Sequence, residues 1–261
     1  FKVWGPERII AEGIGSREDW VLKANEKWHG FGDLATGFNM LDPIKATVIT
    51  PGLDVSGKFA KTGIPAAIVT KYLAEHGVIV EKTGLYSFFI MFTIGITKGR
   101  WNTLVTALQQ FKDDYDKNQP VWRALPEFCQ KHVRYEKMGL RDLCEQIHGM
   151  YKANDVARVT TEMYLSDMQP AMKPTDAFAA MAHHEIDRVE IDNLEGRVTS
   201  VLVTPYPPGI PLLIPGERFN ATIVRYLQFA RDFNTRFPGF ETDIHGLVKD
   251  EDGRYHVDCV R

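Results

Sequence analysis

The sequence predicts a mixed α/β protein, built as an α/β layer followed by an α+β part. Over residues 40–118, short β-branched or apolar runs alternate with stretches of helical apolar spacing, which is the order typical of an α/β layer. From residue 119 onward, helical patterns come first and strand patterns follow, which favours an α+β part. Residues 1–39 show neither pattern clearly. The sequence therefore predicts a connecting arm (1–39), a small α/β domain (40–118) and a C-terminal α+β domain (119–261).

The elements of the small α/β domain follow from local signals. Lys45 to Thr50 is rich in β-branched residues and ends at a proline-glycine pair, which predicts a strand. Thr62 and Pro65 are typical of a helix start, with a capping hydroxyl followed by a proline, and Gly77 is predicted to end that helix. The domain is completed by strands at 78–81 and 86–93 and by a helix with the apolar face Trp101, Leu104, Val105, Leu108, Phe111 and Tyr115.

The C-terminal domain combines longer helical patterns with short strands. Asn220-Ala-Thr222 matches a glycosylation sequon, but it precedes a helical pattern and is interpreted as helix capping around Thr222. The segment Pro205 to Glu217, the proline-rich ridge, has too many prolines for a central strand and is predicted to run along an edge or surface. The predicted helices cover 140–151, 156–168, 174–184 and 222–237, and the predicted strands cover 188–191, 197–203 and 255–260.

The composition of the 261 residues is that of a globular protein, with 44% hydrophobic and 25% charged residues and a formal net charge of -3. No cluster of lysine or arginine indicates binding to nucleic acid or to an anionic membrane. The longest apolar run, at 88–92, is too short to cross a bilayer, and no signal peptide is predicted. Cys129, Cys144 and Cys259 have no CxxC spacing, which favours reduced thiols and a cytoplasmic location.

No metal site is predicted from the histidines. His183 and His184 are adjacent, so on a helix their side chains point about 100° apart and do not share an ion easily. Asp243 and His245 would suit two ligands on one strand face, but no third ligand lies near them in sequence. These histidines are therefore predicted to be structural or solvated.

A charged pair, Glu81 and Lys82, stands between two apolar runs. One interpretation is a hairpin turn that leaves both charges in water. The other places the strand end at a cleft, where the carboxylate binds a cationic ligand through a hydrogen bond of about 1.5–3 kcal/mol. The spacing alone leaves both interpretations open.

Seven stretches occur in an order that resembles one family. They are WHGF (28–31), LDPIK (41–45), TPG (50–52), GIPAAIV (63–69), HGVIVEKTGLYS (76–87), PYPPGIPLLIPGE (205–217) and PGFETDIHG (238–246). Together they resemble the bacterial ornithine/lysine/arginine decarboxylases, which are fold-type-I enzymes that use pyridoxal 5'-phosphate (PLP). The resemblance implies that the chain is the C-terminal part of such an enzyme, and the start at Phe1 also predicts a fragment.

The residues that hold the cofactor in this family have no match in the sequence. The family's Schiff-base lysine follows a histidine, and here no histidine is followed by lysine. Asp155-x-Ala157 lies in a polar helical stretch and is a poor candidate for the aspartate that pairs with the pyridine nitrogen. No catalytic or cofactor-binding residue is therefore predicted in this chain. PLP is expected to be bound mainly by an upstream domain, and the chain alone is predicted to be inactive.

The resemblance gives the Glu81 segment a role. In lysine and ornithine members, a glutamate at this strand end lies near the distal ammonium of the substrate, so Glu81 is predicted to bind that group. Thr83 is predicted to add a hydroxyl to the pocket wall, and Lys82 to orient Glu81. The EKTG pattern favours lysine as substrate, with cadaverine and CO₂ as products, whereas the tail YHVDCV and the RW of ITKGRW resemble arginine members. Ornithine is the third alternative.

The resemblance also implies partners. The expected ligand is a basic amino acid, and family members form homo-oligomeric dimers that can stack into decamers. Some inducible lysine decarboxylases bind the alarmone ppGpp through arginines, but Asp113 and Pro120 stand at the matching positions, so this inhibition is not expected. An alternative of another class is a non-catalytic assembly module, with the proline-rich ridge and the C-terminal helices as its interface.

Overall fold

The computed structural model describes residues 21–26, 30–35, 39, 41–42, 44–54, 56–93, 95–206 and 209–261. Most of the predicted arm (1–39), including Trp28 and His29, lies outside the described residues. The described chain is a mixed α/β protein, which confirms the fold class at that level.

A three-stranded antiparallel sheet and two helices form the first part. In chain order they are β1 (Lys45–Ile49), α1 (Ala66–Glu75), β2 (Lys82–Thr83), β3 (Ser87–Met91) and α2 (Lys98–Asp116). Strand β3 lies in the centre, with β1 on one side and the short β2 on the other. Helix α1 packs against α2, β2 and β3, so the core of this part lies between the sheet and the helices.

Helices dominate the middle of the chain, and a second sheet follows. The helices are α3 (Val121–Ala124), α4 (Pro126–Lys131), α5 (Leu140–Ala153), α6 (Val156–Leu165) and α7 (Pro174–Ala182). The remaining elements are β4 (Ile186–Glu190), β5 (Val198–Thr199), β6 (Thr204–Tyr206), α8 (Ala221–Arg236), β7 (Asp243–His245), β8 (Leu247–Lys249) and β9 (Tyr255–Val260). Strand β9 is central, with β4 on one edge and β5 and β8 on the other, while β6 and β7 form a separate pair.

Two hydrophobic clusters form the core. The first joins α1, α2 and β3 to α3, α4 and α5, and it includes aromatic residues from the end of α8. The second runs from Val159 to Cys259 and contains residues of α6, α8 and β9. The first cluster continues through residue 119 as far as Val156. The domain boundary near Pro120 stays a prediction.

The strand predicted at 78–81 is wrong, because the chain there ends the preceding helix. The amide of Val78 donates to the carbonyl of Leu73 at 2.9 Å, which closes the C-terminal end of α1. Gly77 has a φ of +77°, as its predicted role as a helix stop requires. Since Val78 belongs to this cap, the strand starts only at Lys82 and is two residues long.

One predicted helix cap is wrong and another is shifted. Helix α1 has Pro65 at its N-cap, and no side-chain hydroxyl, including that of Thr62, caps it. At α8 the side-chain oxygen of Asn220 accepts a hydrogen bond from the amide of Ile223 at 2.9 Å. The cap is therefore Asn220 and not Thr222, because the residue just before a helix faces the free amides of its first turn.

The apolar face predicted for α2 is only partly buried. Leu104 and Phe111 are buried, but Trp101 and Val105 are 43% and 38% exposed. Helices α1 and α5 pack against α2, and the positions that they do not cover stay at the surface.

The strand predicted at 197–203 is much shorter in the structure, where only Val198–Thr199 (β5) is a strand and the next one, β6, begins at Thr204. The hydroxyl of Thr199 donates to the carbonyl of Val201 at 2.7 Å and accepts from its amide at 3.1 Å, so the chain turns there. The described part of the proline-rich ridge runs along sheet edges: β6 pairs with β7, Val203 forms an isolated bridge with Leu213, and Gly216 and Glu217 exchange backbone hydrogen bonds with Thr199 of β5.

Candidate functional site

The segment predicted to contact substrate forms one edge of the three-stranded sheet. Strands β2 and β3 make a tight hairpin in which the amide of Gly84 donates to the carbonyl of Ser87 at 2.7 Å. The ladder extends to Glu81, whose amide donates to the carbonyl of Phe89 at 2.9 Å. Glu81 is thus exposed to solvent on a backbone that the sheet holds in place.

The three predicted site residues do not share one direction. Thr83 faces α1, where its hydroxyl donates to the hydroxyl of Thr70 at 3.3 Å. Since neighbouring strand residues point to opposite faces, Lys82 faces the other side of the sheet. No ion pair joins Glu81 to Lys82 in the described part of the chain. No direct contact between the two described side chains supports the orienting role of Lys82, which stays a prediction.

The hairpin turn is bonded to the elements on both sides of it. The carbonyl of Leu85 accepts a hydrogen bond from the amide of Ala66, the first residue of α1, at 2.9 Å. The carbonyl of Tyr86 accepts one from the amide of Thr50, just after β1, also at 2.9 Å. The turn is therefore held by two other elements, and these bonds fix the position of the hairpin whose first strand follows Glu81.

The side chain of Tyr86 makes a buried contact with α5. Its hydroxyl lies 2.5 Å from Nδ1 of His148, and the two residues are 4% and 3% exposed. Burial raises the pKa of Tyr86 well above its ordinary value, so the hydroxyl stays protonated. Nε2 of His148 lies 3.2 Å from the carbonyl of Ala60, which can only accept, so Nε2 donates there; a ring with its proton on Nε2 accepts from the Tyr86 hydroxyl at Nδ1.

Two glycines give room for this contact. A Cβ on Gly52 would lie 2.9 Å from Cδ1 of Tyr86, and a Cβ on Gly63 would lie 2.7 Å from Cε1 of His148. Atoms do not approach so closely without displacement, so both positions need glycine. The TPG and GIP segments each supply one of them. The sequence reasoning missed both Tyr86 and His148.

The other candidate groups are Asp243, His245 and the three cysteines. In the described ranges, no group of three histidine, cysteine, aspartate or glutamate side chains could hold a metal ion. Nε2 of His245 lies 3.4 Å from Oδ2 of Asp243, and both side chains are exposed. The cysteines are buried free thiols, and burial raises the pKa of Cys259 to about 12. No helix among the described residues is long and apolar enough to cross a membrane.

Two family models match the chain. The model of the Orn/Lys/Arg decarboxylase major domain matches residues 1–100, and the model of the Orn/Lys/Arg decarboxylase C-terminal domain matches residues 157–261. The chain belongs to the Orn/Lys/Arg decarboxylase family. The resemblance drawn from the sequence motifs is confirmed.

Relatives in the Orn/Lys/Arg decarboxylase family carry the names of all three amino acids. Lysine decarboxylase LdcA of Pseudomonas aeruginosa is 47% identical and aligns with 100% of this chain and 36% of its own length. The biodegradative arginine decarboxylase of Escherichia coli is 37% identical over 100% of this chain and 37% of its own length. The constitutive ornithine decarboxylase of Escherichia coli is 31% identical, with shares of 96% and 36%. The chain thus spans little more than a third of these relatives.

Solved structures of Orn/Lys/Arg decarboxylases share this fold. Lysine decarboxylase A from Pseudomonas aeruginosa superposes with a TM-score of 0.86 at 48% identity, over 94% of this chain and 34% of that one. The Escherichia coli constitutive lysine decarboxylase superposes with a TM-score of 0.85 at 36% identity, over 93% of this chain and 35% of that one. The mixed α/β architecture is therefore shared with lysine decarboxylases.

Two of the described residues, Lys71 and Asp155, are of the residue types that hold PLP in such enzymes. Burial lowers the pKa of Lys71, a property that a Schiff-base lysine needs, but its ammonium lies over the rings of Phe128 and Phe240, 5.3 and 5.4 Å from their centroids. Asp155 is the N-cap residue of α6 and forms an ion pair with Arg158. Neither of these two residues fits the cofactor.

Proposed function

We propose that the chain is the C-terminal part of a PLP-dependent decarboxylase of fold type I that converts lysine to cadaverine and CO₂. The observation that carries this is Glu81, an exposed carboxylate on a fixed sheet edge, in a chain 47% identical to a lysine decarboxylase. The part played by this chain is to close one wall of the active site, to select the substrate side chain and to build subunit contacts.

Glu81 supplies the negative charge that a basic substrate needs. An ammonium group that leaves bulk water loses its hydration, and the cost is large unless a carboxylate accepts its hydrogen bonds. Glu81 pairs with the distal ammonium and so orients the substrate from the end opposite to the carboxylate that is lost. Thr83 contributes to the same wall, while Lys82, on the other face of β2, acts on Glu81 through its charge.

The chemistry at the other end of the substrate belongs to the cofactor. PLP supplies the electron sink that allows the α-carbon to lose CO₂. Because this chain offers no His-Lys motif, the bond to PLP is made by residues outside it. The residues of this chain bind and orient the substrate and do not take part in bond cleavage.

Arginine is the second candidate substrate. Two Escherichia coli relatives, the biodegradative arginine decarboxylase and the constitutive lysine decarboxylase, match almost equally well at 37% and 36% identity. The YHVDCV tail and the RW pair after the hairpin also favour arginine. Ornithine is the third candidate, and its relatives match at lower identity.

We further propose that the intact protein is a homo-oligomer, a dimer or a decamer, and that the proline-rich ridge forms part of a subunit contact. Leu202 and Ile214 flank the bridge between Val203 and Leu213, and they are 45% and 42% exposed. Apolar side chains on or beside a stiff ridge lose little conformational entropy when they are covered by another subunit. A non-catalytic assembly module would use the same surface.

Substrate preference of the complete gene product tests the proposed activity. The protein is loaded with PLP, and kcat/KM is measured side by side for lysine, arginine and ornithine. A preference of about tenfold for lysine, equal to about 1.4 kcal/mol, would support the lysine assignment. A preference for arginine would reject it, and no release of CO₂ from any of the three would favour the assembly module.

A further inference from the structure

We infer that His148 is a positioning residue for substrate recognition: through Tyr86 it holds the β2–β3 hairpin, and with it Glu81, in the geometry that meets the substrate ammonium. The inference rests on the proposed role of Glu81 and adds to it a residue that lies 67 positions further along the chain. His148 does not touch the substrate in this account. It acts through a buried hydrogen bond.

The first link in this account is the hairpin itself. Tyr86 is one of the two turn residues between Gly84 and Ser87, so its position sets the end of the hairpin. Five residues before it, the amide of Glu81 is bonded to the carbonyl of Phe89 on the opposite strand. A movement of the turn therefore passes along a short, hydrogen-bonded ladder to the backbone of Glu81.

The second link is the attachment of the turn to α5. The Tyr86 hydroxyl donates to Nδ1 of His148 at 2.5 Å in an almost fully buried site. Helix α5 is a firm support, because His148 shares its buried face with Cys144, Ile147 and Tyr151. A buried hydrogen bond is costly to leave unmade, so the tyrosine ring has one preferred position.

The third link is the loop between β1 and α1, which closes over both rings. The ring of Phe59 lies edge-on to Tyr86 and to His148, with centroid distances of 6.1 and 5.9 Å. The carbonyl of Ala60 accepts hydrogen bonds from Nε2 of His148 at 3.2 Å and from Nζ of Lys152 at 3.1 Å. The imidazole thus has a partner at each nitrogen, and it joins the loop, the hairpin turn and α5 at one point.

A structural role and a positioning role predict different kinetics. If the Tyr86–His148 bond only stabilised the fold, its loss would reduce the amount of active enzyme and hence the maximal rate, while KM would stay constant. If the bond positions Glu81, its loss would weaken binding of the ammonium group, and KM for lysine would rise. Binding of norleucine, which has the same chain length but no distal ammonium, would not change.

The test uses the complete gene product loaded with PLP and three variants, Tyr86→Phe, His148→Asn and His148→Leu. Tyr86→Phe removes the hydroxyl and keeps the ring. His148→Asn keeps a polar side chain that can accept a hydrogen bond in place of Nδ1, and His148→Leu removes this possibility. Tyr135→Phe is the matched control, because the buried Tyr135 hydroxyl donates to the carbonyl of Pro238 at 2.9 Å, away from the hairpin.

We expect Tyr86→Phe and His148→Leu to raise KM for lysine by about fivefold or more, the effect of losing one hydrogen bond, while the inhibition constant of norleucine stays constant. His148→Asn should raise KM for lysine less than His148→Leu does. Tyr135→Phe should leave both KM for lysine and the inhibition constant of norleucine unchanged. In a Glu81→Gln background, Tyr86→Phe should add no further rise, since the group that it positions is already neutral.

Two results separate the failure of this inference from failure of the proposed function. If Glu81→Gln raises KM for lysine but Tyr86→Phe and both His148 variants leave it within about twofold of the unmodified enzyme, His148 has no positioning role and the function of Glu81 stands. If Glu81→Gln itself leaves KM unchanged, the substrate role of Glu81 is rejected, and the positioning role of His148 falls with it.

Discussion

The carboxylate of Glu75, at the C-terminal end of α1, caps the N-terminal end of α4. Oε1 of Glu75 accepts a hydrogen bond from the amide of Phe128 at 2.7 Å, and Oε2 accepts one from the amide of Glu127 at 3.2 Å. A negative charge at this end of a helix also meets the positive end of the helix dipole. The contact crosses the predicted domain boundary near Pro120 and ties the two parts of the first hydrophobic cluster together.

Loss of the Glu75 cap should lower the stability of the chain. We expect Glu75→Ala to reduce the free energy of unfolding by about 0.5–2 kcal/mol, the usual cost of a lost helix cap. Urea unfolding monitored by circular dichroism measures this change. Glu145→Ala is the control, because Glu145 is an exposed carboxylate within α5, where alanine is a good helix former. Equal losses in the two variants would show that Glu75 does not act as a cap.

Gly63 should tolerate no side chain, whereas Gly149 should. A Cβ on Gly63 would lie 2.9 Å from Cα of Gly52 and would push against the His148 ring, so Gly63→Ala should cost about 1–3 kcal/mol of the free energy of unfolding. Gly149 lies within α5 with no atom within 4 Å of a built Cβ, so Gly149→Ala should be neutral or stabilise by up to about 1 kcal/mol. Thermal unfolding of both variants compares the two sites, and a Gly63→Ala variant as stable as the unmodified chain would contradict the close packing around Tyr86.

Asp187 should contribute stability that is lost in acid. Hydrogen bonds from Arg197 and Arg261, at 3.0 Å each, hold the pKa of Asp187 below its ordinary value. A carboxyl group whose pKa is lowered by folding stabilises the fold above the unfolded pKa of about 3.9, and this stabilisation disappears as the pH falls through the folded pKa. The effect is modest because the group is exposed and salt screens it.

The variant Asp187→Asn isolates this effect. Its stability should lie below that of the unmodified chain at pH 6, and the difference should shrink below about pH 4, where the carboxyl group of the unfolded chain is protonated. Unfolding by urea between pH 3 and pH 7 measures the difference. A gap that stays constant over this range would mean that the ionisation of Asp187 is not linked to folding.

Exposed apolar residues beside the proline-rich ridge should support self-association. Replacement of Leu202 and Ile214 together by serine should weaken the oligomer of the complete gene product, because both side chains would be buried at the proposed contact. Analytical ultracentrifugation over a range of concentrations measures the dissociation constant. Phe178→Ser is the control, since Phe178 is 62% exposed on α7. If only the control weakens association, the contact lies elsewhere.

Local signals in the sequence predicted much of the fold. Gly77 ends α1 with the left-handed backbone that its position after an apolar helical run indicates, and the proline-rich ridge runs along sheet edges and forms no central strand. The strand at 78–81 could not be read correctly from apolar character, because Val78 is apolar both in a strand and in the helix cap that it actually forms. The exposure of Trp101 could not be predicted either, since periodicity shows which residues share a helix face and not which elements cover that face.

The candidate site was also predicted only in part, because local patterns locate single residues and not contacts between distant ones. The EKTG pattern and the family resemblance drew attention to Glu81, and the hairpin places this residue exposed at a sheet edge. The contact between Tyr86 and His148 joins residues 62 positions apart, and no local pattern specifies such a pair. The opposite directions of Lys82 and Thr83 follow from strand alternation, but only once the strand has been located.

The most direct test of the central claim is the effect of Glu81→Gln on kcat/KM for lysine in the complete, PLP-loaded gene product. The neutral amide keeps the size of the side chain and removes the charge that meets the ammonium. We expect a loss equivalent to about 2–5 kcal/mol, and no comparable loss for Glu251→Gln, an exposed glutamate in the turn between β8 and β9. A loss of less than about fivefold would contradict the role of Glu81 in binding the substrate.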